Sequence, residues 1–341
     1  MLLPDTKAAS AEWDAFVASR PDANFFQLSG WREVVKRSFG HACPYVISRD
    51  GAGAIDAILP LTEIDSRLFG HFLISNGFTV GGGPLSASTA GLAAVLEEAA
   101  QLGRDRKVGY VELRACPAAE PGWQAKSDLY AGFEGPIAAT EADNLKQIPR
   151  KQRAVVRKAL EQGFTISIER SIQPFFDLYA RTLRDHGTPI LPRRFYENLL
   201  TVFGEACEIL TVRKDGVPTA SVMSFFFRDK VLPYYTGSLV EARRSGANDM
   251  MYWALMRRAV ERGATIFDFG RSKVGTGPYS FKSNWGFEPR PITHQYLLLE
   301  RDTLPNLNPT NPRYAKIIAA WQRLPIPVAN AISPFISRSL A

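Results

Sequence analysis

Residues Thr265–Phe287 read TIFDFGRSKVGTGPYSFKSNWGF. The opening Thr265-Ile-Phe-Asp-Phe269 is β-branched and aromatic, which predicts a strand. Gly270 ends it. A loop is expected next, carrying Arg271, Lys273, Tyr279 and Lys282, before Trp285 and Phe287 close the segment. Glycines let a backbone come close to a ligand, and loops on a rigid scaffold carry function. Lys282 is the candidate for contact with a phosphate or a developing oxyanion, the planar fork of Arg271 suits a phosphate or carboxylate, and Lys273 extends the charge. Asp268 stands in the apolar strand, so it is either paired, with Arg271 as the nearest partner, or shifted in pKa. Tyr279 is a candidate hydrogen-bond or proton donor, or a core residue.

Working outward, a helix is expected from Asn248 or Asp249, as cap, to about Gly263, with Met251, Leu255 and Ala259 facing the core. Before it come the strands of a meander: Glu208–Lys214, the Asp215-Gly216 turn, Pro218–Arg228 and Val231–Ser238. The first half of the chain repeats this order. Two helices precede a meander with an Asp50-Gly51 turn, then the glycine loop Gly77–Leu85, a helix near 88–103 and the strand Val108–Leu113. Gly81-Gly82-Gly83 is either a tight turn or a place of close backbone approach. The chain therefore reads as an α+β duplication. Expected boundaries are 1–143, 144–303, and a Pro-rich linker with an apolar tail over 304–341.

Between the halves, Asn144–Gly163 reads as one basic helix, NLKQIPRKQRAVVRKALEQG. Arg150, Arg153 and Arg157 share one face, and Val155, Val156, Ala159 and Leu160 take the other. The arginine stripe is a solvated face or an anion site.

The duplicated layout resembles two tandem GNAT-like (acyl-CoA N-acyltransferase) domains, each a mixed sheet flanked by helices. Arg243-Arg-Ser-Gly246-Ala247-Asn248 is similar to the GNAT pyrophosphate loop, R-x-x-G-x-G/A, with Asn248 at the last position. Such a loop offers backbone N–H groups and the helix dipole to phosphate. The basic helix, SGANDMMYWALMRRAVERG, FDFG and FKSNWGF together resemble the FemAB family, in particular its branch associated with exosortase and PEP-CTERM systems. The resemblance implies an N-acyltransferase of cell-envelope or exopolysaccharide biosynthesis; its donor and acceptor do not follow from the resemblance, and an acyl-CoA or aminoacyl donor and an anionic small-molecule or lipid-linked saccharide substrate are the expectation. Transfer RNA would be a partner only if the donor is aminoacyl-tRNA. A plain acyl-CoA N-acetyltransferase and a non-catalytic GNAT scaffold are the competing readings.

The 341 residues carry 45% hydrophobic and 22% charged residues, as expected of a globular chain with a sizeable core. The net charge of +7 suits an anionic ligand, nucleic acid or membrane surface and does not choose between them. Cys43, Cys116 and Cys207 are widely spaced, so neither a zinc site nor a disulfide framework is expected. No signal peptide or spanning segment is apparent, and a cytoplasmic location is expected. The Pro-broken apolar stretch 317–341 is read as a tail that docks on the protein, or as a peripheral membrane contact. Asp268-Phe269-Gly270 spells a kinase motif without the other kinase signatures, and Gly275-Thr-Gly277 lacks the third glycine of a dinucleotide fingerprint.

Overall fold

The computed structural model describes residues 1–116, 121–305 and 312–340. In chain order the elements begin with α1 (Lys7–Ser19), α2 (Gly30–Phe39), β1 (Tyr45–Arg49), β2 (Ile55–Ser66), β3 (Gly70–Ser75), β4 (Leu85–Ser86), α3 (Thr89–Asp105) and β5 (Tyr110–Leu113). Next are β6 (Gln124–Pro136), α4 (Glu141–Gln147), α5 (Arg150–Leu160), β7 (Thr165–Glu169), α6 (Gln173–Asp185), α7 (Arg193–Phe203), β8 (Cys207–Lys214), β9 (Val217–Phe227) and β10 (Lys230–Ser238). The last are α8 (Val240–Arg243), α9 (Ala247–Glu261), β11 (Ile266–Lys273), α10 (Gly277–Asn284), β12 (Pro289–Leu298), α11 (Pro312–Trp321) and α12 (Ile326–Ser337).

Two compact units result. One gathers Met1–Asp128, Ile292–Leu307 and Phe335–Ala341; the other gathers Leu129–Pro291 and Asn308–Pro334. This differs from a division at 143/144 and 303/304. Residues 117–143 read from the sequence as irregular, a further strand and connection closing the first half; 124–136 form one long strand, and Tyr130–Pro136 pair with Lys273–Ile266. A segment that fills a ladder belongs to that sheet, so the second unit begins inside β6. Part of the expected linker, 306–311, lies outside the described residues, as do 117–120.

In the first unit β1, β2 and β3 form the antiparallel meander. β5 then joins β3 in parallel, Phe72 to Tyr110, Leu73 to Val111 and Ile74 to Glu112. α3 covers this sheet, and Val95, Leu96 and Ala99 meet Leu59, Leu73, Val111 and Leu113 in a buried cluster.

The second unit has the strand order β6-β11-β10-β9-β8-β7, antiparallel except between β10 and β11. The β8–β9 turn has positive φ at both Asp215 and Gly216, which matches the twist of a tight hairpin. α9 covers one face, with Met251, Leu255 and Ala259 packed in a cluster with Leu210, Val212, Val222, Val231, Phe267 and Phe269. α6 crosses the opposite face. A Cβ on Gly237 would run into the backbone of Leu178 and Tyr179, so the absence of a side chain lets α6 lie directly on β10.

Three local expectations change. β11 does not stop at Gly270. That residue, at φ 69°, makes a bulge, and the strand continues through Arg271 to Lys273. Tyr279 and Lys282 consequently sit on the helix α10. The basic segment is two helices, because Ile148 before Pro149 is held extended at ψ 131°. Finally, α5 buries Gln152, Val156 and Ala159, and leaves Val155 and Leu160 at 40% and 39% exposure.

Candidate active site

β10 and β11 pair only at Lys230–Ile266 and Val231–Phe267. Beyond this point they part. β10 carries a bulge between Pro233 and Tyr235, and β11 carries its own at Gly270. A cleft of about 560 Å³ opens beside the far end of β10. Thr182 and His186 from the end of α6, Thr236 and Ser238 from β10, Asn248 and Tyr252 from α9, and Phe281 from α10 line it. The carboxyl ends of diverging parallel strands are where open α/β sheets receive ligands. The Ser238 N–H donates to Thr182 Oγ1 at 3.0 Å, which ties the α6 wall to the strand.

The N-terminus of α9 forms one side of this cleft. Its cap is Gly246, in the left-handed conformation at φ 81°, and not Asn248 or Asp249. Gly246 is buried, and a Cβ there would come 3.0 Å from Ala159 Cβ on α5. No side chain caps the helix. The first helical bond runs from Met250 N–H to Gly246 O, so Ala247 and Asn248 keep N–H groups without a helical acceptor. Asn248 lines the cleft. Asp249 turns inward, where Gln152 Nε2 donates to it and burial raises its pKa.

The cations of the opening stretch take separate positions. Lys282 is buried on α10. Its ammonium donates to Arg271 O at 2.9 Å and Gly270 O at 3.3 Å, and lies 5.7 Å from the Phe133 ring centre. Burial brings its pKa down to about 8, against the upward pull of Asp268. Asp268 Oδ1 accepts from Gly270 N–H at 2.8 Å. Burial pushes its pKa up to about 6, with Glu134 adding to the rise and Lys230 and Lys282 opposing it. Tyr279 meets Phe133 edge-on at 5.2 Å, so its ring is part of the packing. Arg271 lies over Tyr130, 4.3 Å from the ring centre. Lys273 ends β11, and its carbonyl accepts from Thr276 Oγ1.

The structure thus gathers Lys282 and Asp268 around the Gly270 bulge of β11, with Tyr279 against Phe133 of the facing strand, and Gly246, Ala247 and Asn248 at the start of α9. α10 joins the two groups, since Phe281 lines the cleft and the adjacent Lys282 reaches the strand. The arginine stripe stands apart. Arg150 and Arg157 are exposed and Arg153 donates to Ile148 O, while α5 meets α9 through its other side. The Arg243 side chain lies outside the described residues. Among the described residues no cluster of His, Cys, Asp and Glu could hold a metal ion.

Sequence reasoning missed Thr182, His186, Thr236 and Tyr252. The one available signal was position: YYTGS ends a strand beside its parallel neighbour. The glycine triplet of the first unit is, by contrast, closed. Cβ atoms would come 3.0 Å from Phe26 at Gly81, 2.7 Å from Asn76 Cβ at Gly82 and 2.5 Å from Arg114 O at Gly83. These glycines admit neighbours of the same unit.

Comparison with known proteins bears on the fold. Residues 146–283 match the model of the acetyltransferase (GNAT) domain. The chain is 25% identical to the Lipid II:glycine glycyltransferase of Staphylococcus aureus, over 81% of this chain and 88% of that protein. Among solved structures, FemX has a TM-score of 0.68 at 18% identity, covering 91% of this chain and 98% of its own. A tandem GNAT protein from the clavulanic acid biosynthesis pathway gives 0.54 at 13%, covering 89% and 98%. These structures share the tandem-GNAT, α+β architecture.

Proposed function

We propose, of a chain that belongs to the FemAB-like tandem-GNAT proteins, that it transfers an acyl or aminoacyl group to an amine of a lipid-linked cell-envelope precursor. The observation that carries this reading is the cleft beside the far end of β10, bordered by the uncapped start of α9. The similar S. aureus protein acts, by its name, on lipid II. The finer reading is membership of the exosortase-associated branch, action on exopolysaccharide precursors, and work at the inner face of the cytoplasmic membrane. It is supported by the long motifs FKSNWGF and SGANDMMYWALMRRA.

In this reading the donor's acyl group lies in the cleft, with donor phosphates toward the Ala247 and Asn248 N–H groups. Arg243, Arg271 and Lys273 supply further positive charge to substrate anions, and Arg150, Arg153 and Arg157 attract them at longer range. The acceptor amine attacks the acyl carbonyl, and negative charge develops on the carbonyl oxygen. A lysine ammonium has three donors, of which Lys282 commits two to Gly270 O and Arg271 O. The third is assigned to the oxyanion, whose stabilisation is the main demand of the step. Asp268 is assigned the amine's proton, and Tyr279 donates to the leaving group. An acyl-CoA and an aminoacyl-tRNA end both carry an acyl group and phosphate, so this reading takes either as the donor.

The test is thermal unfolding with acetyl-CoA, an aminoacyl-adenosine analogue, UDP-sugars and polyprenyl phosphates. At least one acyl donor should raise Tm. Gly277→Phe, at a position with open space, should abolish that rise with the fold intact. Unchanged melting with every donor at millimolar concentration would overturn the reading.

A further inference from the structure

From Thr303 to Ala341 the chain contains no Asp or Glu, but has Arg313, Lys316, Arg323 and Arg338. The helix at its end is inside-out. α12 buries Ala329, Ser333 and Ser337, at i, i+4 and i+8. It exposes Val328, Ala331, Ile332 and Phe335, at i, i+3, i+4 and i+7, with Val328 at 42%, Ile332 at 41% and Phe335 at 77%. A helix of a water-facing surface normally does the reverse. The inward face is committed: Ser333 Oγ donates to Ala329 O at 2.7 Å and accepts from Ile190 N–H at 3.2 Å. α11 repeats the arrangement, with Trp321 buried and Ile317 65% exposed beside exposed Lys316.

These helices are also fastened to the rim of the cleft. Arg184 Nη1 donates to Gln322 O and Leu324 O, both at 3.2 Å, and Gln322 Nε2 donates to Asp185 O at 3.0 Å. Ile318 fills the space beside Gly187, which the left-handed turn at φ 75° leaves open. Between Asp185 and Gly187 stands His186, a lining residue of the cleft.

We infer that α11 and α12 are a docking surface for an anionic lipid bilayer. Val328, Ile332 and Phe335 enter the boundary between headgroups and acyl chains, and Lys316 and Arg323 meet the headgroups. The apolar stripe supplies insertion, and the complete absence of carboxylates supplies charge complementarity. No described helix is long and apolar enough to cross a membrane, so the helices lie along the surface. The fastening of α11 to residues 184–187 then sets the cleft rim near the bilayer. This deepens the proposed function and rests on it for its purpose, since a lipid-linked acceptor is met at such a surface. The stripe and the charge stand without it.

The test is flotation of the full chain with vesicles of phosphatidylcholine and phosphatidylglycerol, and with phosphatidylcholine alone. The protein should float with the anionic vesicles, and high salt should release it. The Val328→Ser, Ile332→Ser, Phe335→Ser triple variant should lose binding by about tenfold or more with Tm retained. Because a variant of three positions can fail to fold, Lys316→Glu with Arg323→Glu provides an independent loss. The inference falls if the native chain stays unbound, or if both variants float as it does. It falls too if the triple variant only converts a dimer to a monomer and keeps its vesicle binding, for then a second copy covers the stripe. Donor melting shifts measured without vesicles separate the two proposals. Flotation without any donor shift leaves the docking surface and removes acyl transfer; the converse leaves acyl transfer and removes docking.

Discussion

The two units build the same strand–loop–helix–strand crossover and finish it differently. In the first, β3 and β5 stay paired through Ile74–Glu112, and Arg114 N–H donates to Ser75 Oγ at 2.8 Å just beyond. Its loop folds back as a buried plug held by Phe26, Asn76 and Arg114. In the second, β10 and β11 part after Val231, and the loop leads to an uncapped helix beside a cleft. The carboxylates follow suit. Glu112 accepts from Arg114 Nε at 3.1 Å, two residues on and just past the end of its strand. On β11 the Gly270 bulge intervenes, Arg271 lies over Tyr130, and Asp268 accepts from a backbone N–H. One copy uses its glycines and its acid–arginine pair to close the crossover. The other uses a glycine bulge to leave it open, and the chemistry is assigned there.

The closest packing should give the largest effects. Gly83→Ala puts a methyl group 2.5 Å from the Arg114 carbonyl, and Gly237→Ala drives one into the α6 backbone. Neither obstacle is a side-chain end that can swing away. Both variants should lose about 3 kcal/mol or more of stability in urea unfolding. If Gly83→Ala were neutral, the plug would be loose and the contrast between the copies would fail.

Asp268 gives the next effect, through pH. Its pKa is raised from 3.8 to about 6 in the folded chain, so the folded state binds the proton more tightly. Its contribution is fully present below about pH 4 and is lost as pH rises through 6, a change on the order of 3 kcal/mol. Lys282 acts in the opposite sense, because its pKa falls from 10.5 to about 8. The unfolded chain holds that proton longer, so stability rises again above pH 8. Urea titrations should therefore show a minimum between pH 6 and 8. Asp268→Asn should flatten its acid side. A native profile already flat from pH 4 to 6 would show that burial does not raise the Asp268 carboxyl.

Asn248 tests the open loop itself. Asn248→Ala should weaken a donor that raises Tm by about tenfold, the value of one hydrogen bond to a charged group, and leave the unliganded Tm unchanged. Equal affinity would remove the Asn248 side chain from the donor site, since the variant keeps its backbone N–H.

The difference between the copies bears on what could be read from residues. The duplication was legible because its marks are local: Asp-Gly turns, apolar periodicity, and helices followed by strands. Met251, Leu255 and Ala259 lie in the core as their spacing predicts. The bulge at Gly270 was not legible, since a glycine after a strand ends it or kinks it with equal ease. Only the partner strand, Arg271 against Gly132, decides. Nor was the cleft, because Thr182, His186, Thr236 and Tyr252 come from three separate elements and share no motif. The outward stripe of α12 was hidden by its prolines; Pro334 reads as a breaker but lies within the helix.

The smallest effect separates a glycine that is required from one that is convenient. Gly81 stands in the same buried plug, but its added methyl group would meet the Phe26 ring at 3.0 Å, and Asn24 Oδ1 at an ordinary 3.5 Å. Gly81 is also absent from the residues with positive φ, whereas Gly82 sits at φ 86°. A ring can tilt by a few tenths of an ångström where a backbone carbonyl cannot. Phe26 does have neighbours to disturb, since it packs on Phe25 and Trp31 at 5.9 and 5.8 Å between ring centres. Gly81→Ala should thus cost about 1 kcal/mol or less, the lower end of overpacking, partly offset by the stiffer unfolded chain. Loss as large as for Gly83→Ala would mean that Phe26 is as rigid as backbone, and that aromatic packing, more than the backbone contact, holds the first copy shut.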